Sequence, residues 1–198
     1  FDTQAEKKDE PIPEGLPAKV PVSVLMCGGM HSVVLTPAGQ VYTWGCNDDG
    51  ALGRTTGNDG VPGLVSLAQP VNGISVGNSH SIFYNTTQSN AFFCGLYRNA
   101  VSGRTGDPTK EPVLFGEGTF KKGKNTLVKI VSGYDHSMAL MSDSKVFAWG
   151  DAESGKIGRM LKSRNRIQQS HKIEQVGARQ AVDIFCTGHS SFYKNKKG

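Results

Sequence analysis

A short glycine-and-histidine signature occurs three times along the chain and is the feature that most constrains its fold. Each copy reads Gly-x-x-His, leads into an apolar stretch and ends at a pair made of one hydrophobic residue and one glycine. The signature histidines His31, His80 and His136 are 49 and 56 residues apart. A period of this length indicates stacked supersecondary units, and the four-stranded blades of a β-propeller fall in this range.

The segments between the signatures predict strands and turns. Residues 32–35 and 40–44 are rich in β-forming side chains and are separated by a Pro-Ala-Gly turn. No segment predicts a strong helix, and residues 167–181 fit a helix or a loop followed by a strand. We therefore predict an all-β chain divided into a charged, proline-rich lead-in segment or linker (1–20), three repeats (21–73, 74–127 and 128–181), and the start of a further repeat with a basic tail (182–198).

Charge is distributed unevenly along the sequence. Residues 1–118 carry a net charge of −4, whereas residues 119–198 carry +9. This asymmetry is typical of a second half that meets an anionic partner, although a solvated basic face is an equal alternative. The four cysteines form no Cys-x-x-Cys pair, so we expect neither a zinc site nor a disulfide framework. No apolar run approaches the ~20 residues that span a membrane, so no membrane partner is expected.

The stretch 27–54 carries the strongest resemblance to a known family. Its sequence runs from Cys-Gly-Gly-Met-His-Ser to Trp-Gly-Cys-Asn-Asp-Asp-Gly-Ala-Leu-Gly-Arg. The spacing of its apolar, glycine and histidine positions resembles the repeat of the regulator of chromosome condensation family, and the resemblance extends over about residues 21–192. It implies an all-β fold of the family's β-propeller type, with about three to three and a half blades of a seven-bladed propeller.

The resemblance also implies a function. The family includes the guanine-nucleotide exchange factor of the nuclear GTPase Ran, which acts on chromatin through histones and DNA in nucleocytoplasmic transport and mitosis. The expected partners are therefore a Ran-type small GTPase and the histone core and DNA of nucleosomes, and the expected location is the nucleus. Exchange is non-covalent, so we expect no cofactor, metal or small-molecule substrate. The alternative is a propeller scaffold module, such as the adaptor domain of a ubiquitin ligase, without exchange activity.

Candidate exchange residues lie in the signature turns. His31 and Asp135 match family positions implicated in exchange, and Asn78 stands where the family exchange factor has an aspartate. Because the histidines recur in every repeat, a structural role in which each one hydrogen-bonds a turn is the competing interpretation.

The second repeat contains an insertion. Its interval from Gly95 to Gly103 is eight residues, whereas the corresponding intervals in the other two repeats are five. An insertion found once on a regular scaffold is a candidate functional element, although a tolerated surface insertion is possible. The segment resembles the family's β-wedge, which implies contacts with the GTPase from four residues: Tyr97, Arg98, Asn99 and Ser102.

A cluster of cations lies in the third repeat, after its closing glycine turn at 155–158. By its location it resembles a family loop that carries arginines into the acidic patch of the histone octamer, which implies histone or DNA binding by Lys162, Arg164 and Arg166. The planar guanidinium suits this task because it pairs with carboxylates through two hydrogen bonds.

Overall fold

The protein is described by a computed structural model that covers residues 20–99, 103–104, 106–121, 123–159, 172–178 and 180–197. These residues form three four-stranded antiparallel sheets, one two-stranded sheet and one small hairpin. The only helical segment among them is the single 3-10 turn Glu153–Gly155. The all-β prediction is confirmed. No helix in these ranges is long and apolar enough to cross a membrane.

The sheets follow one another along the chain. The first contains β1 (Val24–Cys27), β2 (His31–Leu35), β3 (Val41–Gly45) and β4 (Gly63–Leu64). The second contains β5 (Gly73–Val76), β6 (His80–Asn85), β7 (Asn90–Gly95) and β10 (Thr109–Phe115), and the hairpin of β8 (Arg98–Asn99) and β9 (Gly103–Arg104) interrupts it. The third contains β11 (Leu127–Ser132), β12 (His136–Met141), β13 (Val146–Gly150) and β14 (Glu174–Gln175). The fourth pairs β15 (Ala181–Cys186) with β16 (Ser191–Asn195).

Strand register explains the fixed distance between each histidine and its hydrophobic-glycine pair. In all three large sheets the signature histidine begins the second strand and lies opposite the glycine that ends the third strand. The three opposed pairs are His31 with Gly45, His80 with Gly95, and His136 with Gly150. Every repeat therefore places its signature at the same end of its sheet.

Close packing at that end requires glycine. A Cβ atom on Gly77 would lie 2.0 Å from the ring of His80, because the histidine folds back over the first glycine of its own signature. On the opposing strand, Gly95 has a φ of +101°, and a Cβ there would lie 2.3 Å from the carbonyl oxygen of Ser79. At Gly77 the lack of space excludes a side chain. At Gly95 both the lack of space and the positive φ exclude one.

The hydrophobic core lies between neighbouring sheets, so the inner strands are buried on both faces. In β6, Ile82 packs in a cluster with residues of the third sheet, whereas the adjacent Phe83 packs in a cluster with residues of the first. A further cluster joins the third sheet to β15. Strands β1 and β16 are not buried on both faces, since Leu25 of β1 is 59% exposed and Phe192 of β16 is 55% exposed. The stack is held by three such interfaces.

The glycine packing generates a stability prediction. We expect Gly77→Ala to lower the free energy of unfolding by about 3 kcal/mol, because the new methyl group must displace the buried His80 ring. The matched control is Gly177→Ala, since a Cβ there has no heavy atom within 4 Å. Urea denaturation followed by circular dichroism measures both, and equal midpoints for the two variants would contradict this account.

Candidate functional site

The first signature histidine joins two sheets. His31 Nε2 lies 2.9 Å from the Oγ atom of Ser81, which belongs to β6 of the next sheet. The same hydroxyl donates to the carbonyl of Ala51 at 2.8 Å. Because a hydroxyl has one proton, the imidazole N–H must be the donor in the first bond. A turn was expected as the histidine's partner, but the direct partner is a strand serine that connects the ring to the turn at Ala51.

The second interface repeats this bond and extends it into a buried network. His80 Nε2 lies 3.3 Å from Ser137 Oγ, which is 3.0 Å from the hydroxyl of Tyr97. Trp149 donates its indole N–H to the same tyrosine hydroxyl at 2.7 Å. Tyr97 is only 6% exposed. The Tyr97 side chain therefore anchors the root of the inserted segment in the core. Any effect of Tyr97 on a partner must come from the position that it gives to that segment.

Burial keeps the signature histidines neutral. Desolvation lowers the pKa of His31 to about 4 and that of His136 to about 4. The pKa of His80 falls to about 3, first because of burial and then because of the neighbouring histidines. A neutral ring carries one N–H, which suits the bond that His31 makes with Ser81.

The insertion forms the short hairpin β8–β9, in which Arg98 pairs with Arg104 and Asn99 with Gly103. The Arg98 guanidinium forms an ion pair with Asp49 of the first repeat, and Nε lies 2.7 Å from Oδ2. The backbone N–H of Arg98 donates to Asp135 Oδ1 of the third repeat at 2.9 Å. Carboxylates from both neighbouring repeats therefore hold the first residue of the hairpin.

Asp135 lies in a charged environment. Burial raises its pKa, and the hydrogen bond from Arg98 and the charge of Lys156 act in the opposite direction. Lys156 itself forms a buried ion pair with Asp151. This pair was not among the residues predicted from the sequence, although a signal exists: the third repeat has Lys156 and Asp151 where the first repeat has Ala51 and Cys46.

The structure brings several predicted residues together. His31, Asn78 and Arg98 line one shallow depression at the signature end of the sheets, together with Asp48 and Asp49. Asp135 adjoins it through its bond to Arg98. The carboxylate of Asp49 was not among the predicted site residues, although it lies within the stretch 27–54 that carries the strongest resemblance.

Other predicted residues are not placed. Only the backbone of Asn99 is described, and four residues lie outside the described ranges: Ser102, Lys162, Arg164 and Arg166. Within those ranges, no group of three or more histidine, cysteine, aspartate or glutamate side chains could hold a metal ion.

Comparison with known proteins identifies the repeats. Models described as the regulator of chromosome condensation (RCC1) repeat match residues 38–84 and 127–156. The chain is 38% identical over 190 residues to the human regulator of chromosome condensation, covering 86% of this chain and 44% of that protein. It is 27% identical over 182 residues to the guanine nucleotide exchange factor SRM1 of Saccharomyces cerevisiae, covering 71% and 36%.

Two further likenesses bear on partners and on scaffolding. The crystal structure of Prp20p from Saccharomyces cerevisiae, described together with its binding to Gsp1p and histones, matches with a TM-score of 0.78 and 25% identity. The match covers 88% of this chain and 42% of that one. The human E3 ubiquitin-protein ligase HERC2 is 29% identical over 182 residues, covering 86% of this chain and 4% of the ligase. The chain thus spans less than half the length of these relatives.

The lowered pKa values of the signature histidines predict acid sensitivity. Their folded-state pKa values lie below the ordinary value of 6.5, so the unfolded chain binds more protons as the pH falls. Their contribution is constant above about pH 6.5. It is lost between pH 6.5 and about 4 for His31 and His136, and between pH 6.5 and about 3 for His80, at up to ~1.4 kcal/mol per pH unit for each histidine.

Urea denaturation at several pH values measures this loss. His80→Gln should make the fall in stability between pH 6.5 and 4 shallower, because it removes one of the three histidines whose pKa is lowered by burial. An unchanged slope in the His80 variant would contradict the assignment.

Proposed function

This chain is built from repeats of the regulator of chromosome condensation family, and we propose that it takes part in guanine-nucleotide exchange on a Ran-type small GTPase. The observation that carries the proposal is the convergence at one end of the sheets. Candidate exchange residues from three repeats, His31, Asn78 and Asp135, adjoin a hairpin that the scaffold itself does not require. Two relatives support it, since SRM1 is named an exchange factor and Prp20p is described as binding Gsp1p.

The proposed mechanism is differential binding. An exchange factor must bind the nucleotide-free GTPase more tightly than the loaded form, because equal affinity for both forms shifts no population. In this mechanism the hairpin contacts the GTPase close to its nucleotide site, and Asp135 and Arg98 supply charge beside it. By linkage, rebinding of nucleotide then lowers the affinity for this chain and releases the GTPase.

The fixed root of the hairpin favours this mechanism over binding without exchange. Its root is fixed by the buried Tyr97 hydroxyl, and its first residue is held by Asp49 and Asp135. A loop ordered before binding loses less conformational entropy on contact, so more of the binding energy is available to favour the empty GTPase.

The second candidate function is a scaffold module that binds a protein without exchange. The likeness to HERC2 favours it, because that relative carries this type of repeat in a ubiquitin ligase. The two functions differ in how binding depends on nucleotide. A scaffold binds its partner whether or not nucleotide is present, whereas an exchange factor prefers the empty GTPase.

Nucleosomes are the second proposed partner. The net charge of +9 over residues 119–198 suits the acidic histone surface and DNA phosphates, and Prp20p is described as binding histones. We assign the histone and DNA contacts to three cations of the third repeat: Lys162, Arg164 and Arg166. Localisation to chromatin in the nucleus follows from this partner.

Release of a fluorescent GDP from Ran tests the exchange function. We expect the wild-type chain to accelerate release, and Arg98→Ala to reduce kcat/KM by about tenfold, because the guanidinium is lost at the first residue of the hairpin. The matched control is Lys145→Ala. Lys145 precedes β13 at the end away from Gly150, so this variant removes a cation far from the site. No acceleration by the folded wild-type chain, with nucleotide-independent binding, would favour the scaffold.

The nucleosome contacts generate a separate prediction. We expect Arg164→Ala combined with Arg166→Ala to weaken binding to nucleosomes by about tenfold, while nucleotide release from Ran is unchanged. Gel-shift titrations at two salt concentrations measure the affinity and its salt dependence. The control removes two cations of the tail, Lys196 and Lys197, and an equal loss in both variants would argue against a specific role for the arginines.

A further inference from the structure

The contacts around the hairpin assign a role to a residue that was not predicted from the sequence. We propose that Asp49 is a positioning residue for exchange, which acts through Arg98 to set the direction of the β8–β9 hairpin. The inference rests on the proposed exchange function, but its structural half can be tested on the chain alone.

The hairpin is too small to orient itself. Among its described residues, two pairs join its strands, Arg98 with Arg104 and Asn99 with Gly103. A two-stranded ribbon is at best marginally stable in isolation, and one with two pairs needs support from the surrounding structure. Its direction must therefore depend on contacts at its root.

Asp49 supplies a directional contact from the first repeat. Its side chain is 5% exposed, and its Oδ2 atom accepts from both Nε and Nη2 of Arg98. The two nitrogens belong to one rigid plane, so this contact fixes the orientation of the guanidinium as well as its distance. The anchor itself is rigid, because Asp49 lies in the tight turn between Asn47 and Gly50.

The opposite side of Arg98 is held by the third repeat. Asp135 Oδ1 accepts the backbone N–H of Arg98 at 2.9 Å, while Asp49 holds its side chain. The residue where β8 begins is thus fixed at two points from two different sheets. With one anchor removed, β8 can pivot about the other, so its direction is no longer fixed.

The exposure of Arg98 separates positioning from simple stability. The Arg98 side chain is 41% exposed, so water can solvate its guanidinium when the buried Asp49 side chain no longer holds it. Loss of Asp49's charge is therefore expected to affect the hairpin more than the fold. A displacement of about 1 Å at a contact that must be precisely placed can reduce a rate by up to about 100-fold.

The first test measures exchange on Ran loaded with fluorescent GDP, separating kcat from KM. Asp49→Asn keeps the shape of the side chain and removes its charge, and we expect kcat to fall about tenfold while KM changes less than about twofold. Asp49→Glu should recover part of kcat. In an Arg98→Ala background, Asp49→Asn should cause no further loss, because its effect passes through Arg98.

The second test needs no GTPase. Hydrogen–deuterium exchange on the chain alone should show that Asp49→Asn accelerates exchange of the β8 and β9 amides about tenfold, with those of β6 unchanged. The control is Asp183→Asn, which breaks the half-buried pair between Lys129 of the third sheet and Asp183 of the fourth and should alter neither the hairpin amides nor kcat.

The outcomes are distinct. Unchanged hairpin amides in Asp49→Asn would overturn the inference. Accelerated amides with an unchanged kcat, in a chain that is active, would show that the anchor is structural only and would also overturn the positioning role. An inactive wild-type chain would contradict the proposed function, and the amide exchange would still decide whether Asp49 holds the hairpin.

Discussion

The histidine that folds back over the first glycine of its own signature is the constraint on which the rest of the structure depends. A Cβ on Gly77 would occupy the space of the His80 ring, and the same geometry occurs at the other two signatures. Packed in this way, His31 and His80 each reach a serine of the next sheet. The same polar contact therefore relates the first sheet to the second and the second to the third, and apolar clusters pack between the same sheets.

This arrangement places the histidines that join the sheets and the candidate site at the same end of the sheets. His31 bonds to Ser81 and also lines the depression beside Arg98, so a substitution there affects stability and site geometry together. Positions within the signature that make no such bond are free to differ between repeats, as Met30, Ser79 and Asp135 do. The residues that vary among repeats are therefore better indicators of function than the histidines that recur.

The sequence predicts elements whose cause is local or periodic. The strands, the glycine positions and the extra length of the second repeat all follow from patterns within one unit, and the structure has β2, β3 and the hairpin in those places. The partners of the inserted residues depend on the relative placement of sheets, which no local pattern encodes. Asp49 and Arg98 are 49 residues apart, and Tyr97 meets Ser137 and Trp149 of another repeat. An aromatic in an insertion was predicted to face a partner, but the neighbouring sheet buries it.

The two internal interfaces between the first three sheets are sufficient to build the site. The bonds that define it run from His31 to Ser81, and from Asp49 and Asp135 to Arg98, so each crosses one of these interfaces. The third sheet is in turn supported by the fourth, since β12 is buried along its whole length where β15 packs against it. The exposed apolar faces of β1 and β16 lie outside these contacts. A segment packed on those faces would add to the stability of the stack. The geometry around the hairpin is instead set by contacts among the first three sheets.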